Sequence, residues 1–112
     1  EISENMCAEL EKNGFSVISA ATFGESLDSV AGRITPDSIY KAIHSIAENA
    51  GTNKLDAIFI SCTSLNCASI IRRVENELKI PILSSNSVLA WDMAKLSNID
   101  LKNLRLSSLV KI

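Results

Sequence analysis

Asp56-Ala57-Ile58-Phe59-Ile60-Ser61-Cys62-Thr63-Ser64-Leu65 is the stretch on which the fold turns. From Leu55 to Ser61 the chain reads as a short strand buried on both faces. A cysteine and two hydroxyl residues then interrupt it. Beyond them Cys67, Ile70, Ile71, Val74 and Leu78 recur at helical spacing between Ser64 and Leu78. Strand, tight turn and helix are expected in direct succession.

The same alternation continues on both sides. Downstream, Pro81 to Leu83 is a further short strand, and after Ser84-Ser85-Asn86 a helix places Leu89, Met93 and Leu96 on one side. Upstream, Thr35 offers an N-cap and Pro36 the first helical position of a helix whose stripe of Ile39, Ile43, Ile46, Ala47 and Ala50 ends at Gly51. Residues 21 to 35, with Gly24, Ser26, Asp28, Ser29 and Gly32, have the composition of a functional loop. Before them, Phe15 to Ala20 is expected as a buried strand entered from an opening helix. That helix carries Ile2, Met6 and Leu10 and stops at Asn13-Gly14. Asn98 to Ile112 has a repeated Leu pattern that fits no element.

Strands alternating with helices of about a dozen residues imply parallel pairing, so the expected class is α/β, a flavodoxin-like lobe with a parallel sheet spanning residues 1–112. In such sheets ligands bind beyond the carboxyl ends of the strands, which here are the loops starting at Ala21, Cys62 and Ser84. All three loops are rich in Ser, Thr, Asn or Gly.

Composition narrows the function classes. The 112 residues are 46% hydrophobic and 21% charged, an ordinary globular mixture that argues against disorder. A net charge of −2 without basic clusters lacks the footprint of a nucleic-acid partner. No apolar run approaches the roughly 20 residues that cross a bilayer, and no leader pattern is present, so the expectation is a soluble, cytoplasmic protein without a membrane partner. Cys7, Cys62 and Cys67 are odd in number and lack the paired spacing of a zinc site, so reduced thiols and no metal site are expected.

Cys62 is the candidate catalytic residue. It follows a buried strand at once and precedes Thr63-Ser64, read as the start of a helix whose N-terminal partial charge favours a thiolate. Thr63 and Ser64, with the free N–H groups of the first turn, are candidate ligands of a substrate carboxylate. The alternative is that Cys62 is a small buried hydrophobe, as most free cysteines are. Cys67 and Cys7 both sit on apolar helix faces and read as core. Ser85 and Asn86 are candidates to orient a polar substrate, and equally candidates for plain N-capping. His44, beside Lys41, Ser45 and Glu48, reads as a surface histidine, and Trp91 as packing.

The residues Asp56 to Leu65, followed by Pro81-Ile-Leu-Ser-Ser-Asn-Ser-Val-Leu-Ala-Trp91, resemble the C-terminal half of maleate cis-trans isomerases and their arylmalonate decarboxylase relatives, in the aspartate/glutamate racemase superfamily. Phe23 to Ile34 fits the same pattern, so the resemblance covers essentially the whole chain. It implies one half of a two-lobed, pseudo-symmetric enzyme with a cysteine contributed from each side, Cys62 being the second. The chemistry implied is cofactor-free. One thiolate removes or adds a proton at carbon, or attacks the alkene carbon of maleate, while the opposite thiol acts as acid.

On this resemblance the chain is an isomerase or racemase lobe for a small dicarboxylate such as maleate, or an acidic amino acid. Arylmalonate-type decarboxylation with a single cysteine as proton donor is the alternative within the superfamily. Expected partners are the carboxylate substrate, the missing N-terminal lobe and a second copy in a homo-oligomer, and the piece alone is expected to be inactive. Leu27-Asp28-Ser29 replaces a polar, often Asn-containing stretch of the isomerases, which points to a different substrate. A strand upstream of Glu1 is expected in the centre of the sheet. Its absence leaves a second class open, a non-catalytic flavodoxin-like binding or interaction module. A third is a redox-sensing thiol at Cys62, for which no resolving cysteine is apparent.

Overall fold

The architecture was described from a computed structural model, which defines residues 2–51, 54–101 and 107–111. In chain order the elements are α1 (Ile2–Lys12), α2 (Asp28–Ala31), α3 (Pro36–Asn49), β1 (Ile58–Ile60), α4 (Ala68–Leu78), β2 (Ile82–Ser84), α5 (Ser85–Leu96) and a 3₁₀ turn (Ser108–Lys111). The class is α/β. β1 and β2 run parallel, pairing Ile58 with Ile82, Phe59 with Leu83 and Ile60 with Ser84, and α4 makes the crossover between them.

Burial explains why these pieces assemble. Ile58 and Ile60 turn inward from β1, Ile82 from β2, Ile39 and Ile43 from α3, and Ile71 and Val74 from α4, closing one core with Leu65 and Cys67. Val74 and Ile82 are fully buried, and covering a side chain of that size stabilises the fold by about 1.5–3 kcal/mol. The α3 helix begins as its sequence dictates, with Thr35 Oγ1 accepting the Ser38 N–H at 3.2 Å and Pro36 at the first position. Gly14, at φ +90°, ends the first helix in a conformation that a side chain would strain.

Several expectations are corrected. Phe15 to Ala20 forms no strand, and Phe15 and Ile18 are 64% and 43% exposed. A strand exists only as a pair, and among the described residues the sheet consists of β1 and β2, neither of which bonds to this segment. Within the expected loop at 21–35, Asp28–Ala31 winds into the short α2. The strand expected at Pro81 to Leu83 lies one residue later, because Pro81 contributes only its carbonyl, which accepts the Ile58 N–H at 3.0 Å.

The helix read from Ser64 begins four residues later, at Ala68. In α5 the inward face is Ser87, Val88, Trp91 and Ala94, while Leu89, Met93 and Leu96 face solvent. Of the unassigned C-terminal segment, 102–106 and 112 lie outside the described residues, and Ser108 is tied to the Glu75 carboxylate through its N–H at 3.0 Å and its hydroxyl at 2.7 Å. Among the described residues no helix is long and apolar enough to cross a membrane.

Candidate active site

β1 and β2 end side by side, and the chain leaves both ends through hydroxyl-bearing residues. Cys62 lies two residues beyond Ile60, half-buried and packed against the core, with φ +108°. A side chain is rarely tolerated there. Holding a non-glycine residue in such a region costs about 1–3 kcal/mol and persists only where the surroundings over-determine it.

Those surroundings come from the start of α5. The Cys62 N–H donates to Ser85 Oγ at 3.2 Å, and Asn86 Nδ2 donates to the Thr63 carbonyl at 2.9 Å. Capping of α5 is done by other residues. Ser84 Oγ accepts the Ser87 N–H at 3.1 Å, and Ser87 Oγ accepts the Ser84 N–H at 2.9 Å, a reciprocal capping box. Ser85 and Asn86 are thereby released to reach across to the cysteine turn, which distinguishes them from the simple caps that their position also suggested.

Between Cys62 and α4 the chain makes a turn, with the Leu65 N–H approaching the Cys62 carbonyl at 3.4 Å and the Cys67 N–H bonded to the Leu65 carbonyl at 3.1 Å. The thiol is therefore five residues before the N-cap of α4, which is Cys67, rather than at the helix start. The N-terminal end of α4 instead opens onto a groove of about 390 Å³ lined by Thr63, Ser64, Asn66, Asn86 and Ser87 among its polar residues and by Leu65, Cys67 and Ala90 among its apolar ones. Free N–H groups at a helix start and a ring of hydroxyls and amides suit a carboxylate. Cys62 and Ser85 adjoin this groove in sequence through Thr63 and Asn86 but do not line it.

The arrangement gathers Thr63, Ser64 and Asn86 on one groove and ties Cys62 and Ser85 to its rim by covalent and hydrogen bonds. Asn66 and Ser87 also line it, and sequence reasoning did not single them out. The spacing of Ser87, three residues after a candidate N-cap, was the available signal for that residue. Cys67 is buried at 3% and Cys7 half-buried, in keeping with packing roles. Trp91 is half-buried, with Lys95 Nζ 4.3 Å from its ring centre. Among the described residues no group of three or more His, Cys, Asp or Glu side chains is placed to hold a metal ion.

His44 is partly exposed on α3, away from the strand ends, and belongs to a polar cluster. Its Nε2 lies 3.0 Å from Glu77 Oε2, the same oxygen that accepts the Tyr40 hydroxyl at 2.8 Å, while Arg73 Nε donates to Glu77 Oε1 at 2.9 Å. The Arg73 guanidinium, then the Tyr40 hydroxyl, hold the Glu77 carboxyl below the usual carboxylate range, and the hydrogen bond to Glu77 raises Tyr40. The four residues join α3 to α4.

The family model for arylmalonate decarboxylase matches residues 1–110. No curated protein and no solved structure matches the chain. A match across nearly every residue, centred on an α/β unit whose strand ends carry the cysteine turn, assigns the family: the chain belongs to the arylmalonate decarboxylase family, within the aspartate/glutamate racemase-like superfamily of enzymes.

Proposed function

We propose that Cys62 carries a proton to or from the carbon beside a carboxylate in a cofactor-independent enzyme, and that this chain is the flavodoxin-like second lobe of a two-lobed molecule. The observation that supports this most is the backbone of Cys62. A thiol held at φ +108° where two parallel strands end, with hydrogen bonds from the adjoining helix fixing its turn, is costly for folding, and strain of this kind gathers at functional sites. Thr63 and Ser64, on the groove at the start of α4, hold the substrate carboxylate.

For isomerisation or racemisation of a small dicarboxylate or an acidic amino acid, a thiolate takes the α-proton or adds to the alkene carbon, and a second thiol from the other lobe supplies the opposing acid. The family match favours a second reading, decarboxylation of an arylmalonate. There the C–CO₂⁻ bond breaks, carbon dioxide leaves, and its electron pair stays on the α-carbon, delocalised into the remaining carboxylate as an enediolate. Cys62 then gives its S–H proton to that carbon and recovers one from water. Both readings need the same thiol and carboxylate site.

Alkylation by iodoacetamide, followed at each cysteine by mass spectrometry in the full-length protein, tests the shared core. Cys62 is expected to label faster than Cys7 and Cys67 and to be protected by a dicarboxylate. Labelling no faster than the other two makes it a packing residue and favours the non-catalytic binding module. Product analysis with maleate and with an arylmalonate separates isomerase from decarboxylase.

A further inference from the structure

We infer that Ser85 and Asn86 are positioning residues that clamp the Cys62 turn from two sides, rather than ligands of the substrate, an inference that rests on the proton-transfer reading of Cys62. Ser85 Oγ accepts the N–H of Cys62 at 3.2 Å, and Asn86 Nδ2 donates to the carbonyl of Thr63 at 2.9 Å. These bonds grip the chain immediately before the φ of Cys62 and immediately after the ψ of Thr63. Four backbone dihedrals, the strained one among them, lie between the two fixed points.

Both grips come from the first two residues of α5, which are consecutive and helical, so their spacing is set by one rigid turn. That turn is in turn locked to β2 by the reciprocal bonds of Ser84 and Ser87, with Ser84 buried. β2 is registered against β1, whose end leads into Cys62. The path from Cys62 across the clamp, back through β2 and along β1 to Cys62 is therefore closed. By closing this loop Ser85 and Asn86 fix where the sulfur stands, Ser85 from outside the groove and Asn86 from its lining. In reactions of this type, a displacement of about 1 Å at the reacting group costs on the order of 100-fold in rate.

The two assignments differ in kinetics. A substrate ligand that binds ground and transition states alike changes KM, whereas a group that aims the thiol changes kcat. Steady-state decarboxylation of an arylmalonate by the full-length protein, compared with S85A, S85T, N86D and C62A, separates them. S85A removes the acceptor, and N86D keeps the shape of Asn86 but replaces the donor by a carboxylate oxygen, which also brings a negative charge to the groove.

We expect kcat to fall about 10- to 100-fold in S85A and N86D, with KM within about two-fold of wild type in S85A, which adds no charge, and S85T, which keeps the hydroxyl, to recover most of the loss. A raised KM at unchanged kcat in N86D, or unchanged kinetics in both S85A and N86D while C62A is inactive, overturns the clamp and leaves the thiol reading standing. Full turnover in C62A overturns the reading beneath it, and the clamp with it. Should S85A not fold, N86D carries the same test, since Asn86 is exposed.

Discussion

Replacing Cys62 by glycine and by alanine gives two proteins that both lack the thiol and differ in what their backbones tolerate. At an ordinary site glycine is the less stable of such a pair by about 0.5–1 kcal/mol. At φ +108° the order should reverse. Alanine keeps the strain of the native cysteine, about 2 kcal/mol in the middle of the usual range, and glycine releases it. Against that gain stand about 0.7 kcal/mol for the wider unfolded ensemble of glycine and about 0.4 kcal/mol for half-burying one methyl group.

The balance favours C62G over C62A by about 1 kcal/mol, or a melting temperature higher by about 4 °C in a chain of this size. Urea unfolding with equal slopes for the two variants reads the difference as a shift in midpoint. A glycine variant less stable than the alanine variant by the ordinary amount of about 0.5–1 kcal/mol would mean that the turn has no strain to release. Both variants are expected to be inactive, so the native cysteine is retained at a cost in stability.

Two further outcomes follow from the core and from the helix pair. Ile82→Ala, at a fully buried position between β1 and α4, should cost about 2–5 kcal/mol in chemical unfolding, whereas a loss below 1 kcal/mol contradicts the packing described. The Glu77 carboxyl lies below its ordinary value of 4.5 when folded, chiefly through Arg73, so its contribution to stability is present above that pH and is lost as the pH falls through the lowered folded value. Wild type should accordingly exceed E77Q in stability at neutral pH and converge with it in acid, and a difference that does not change with pH removes the charge from the explanation.

What could be read in the sequence was whatever depends on local pattern. The short apolar runs around Ile58–Ile60 and Ile82–Leu83 and the stripe of Ile39 and Ile43 follow from burial, and Thr35-Pro36 follows from capping. Phe15 to Ala20 carries the same local signature and is no strand, because pairing is a property of a neighbour and not of a segment. In α5 both faces offer apolar residues, so periodicity could not choose the side that Ala94 buries. At the candidate site the residue types Cys62, Thr63, Ser64, Ser85 and Asn86 were legible together. The positive φ of Cys62, the delayed start of α4 and the bonds from Ser85 and Asn86 are tertiary facts with no one-dimensional trace.

Delivery of the proton by the Cys62 thiol is tested by following an arylmalonate in D₂O with the full-length protein and with C62A. Carbon dioxide release and deuterium at the product α-carbon are read together. Wild type should release carbon dioxide and place one solvent deuterium at that carbon, and C62A should slow both by at least about 100-fold, the loss typical of a removed general acid. Wild-type rates of release and deuteration in a folded C62A protein would contradict delivery by the thiol and return Cys62 to the core.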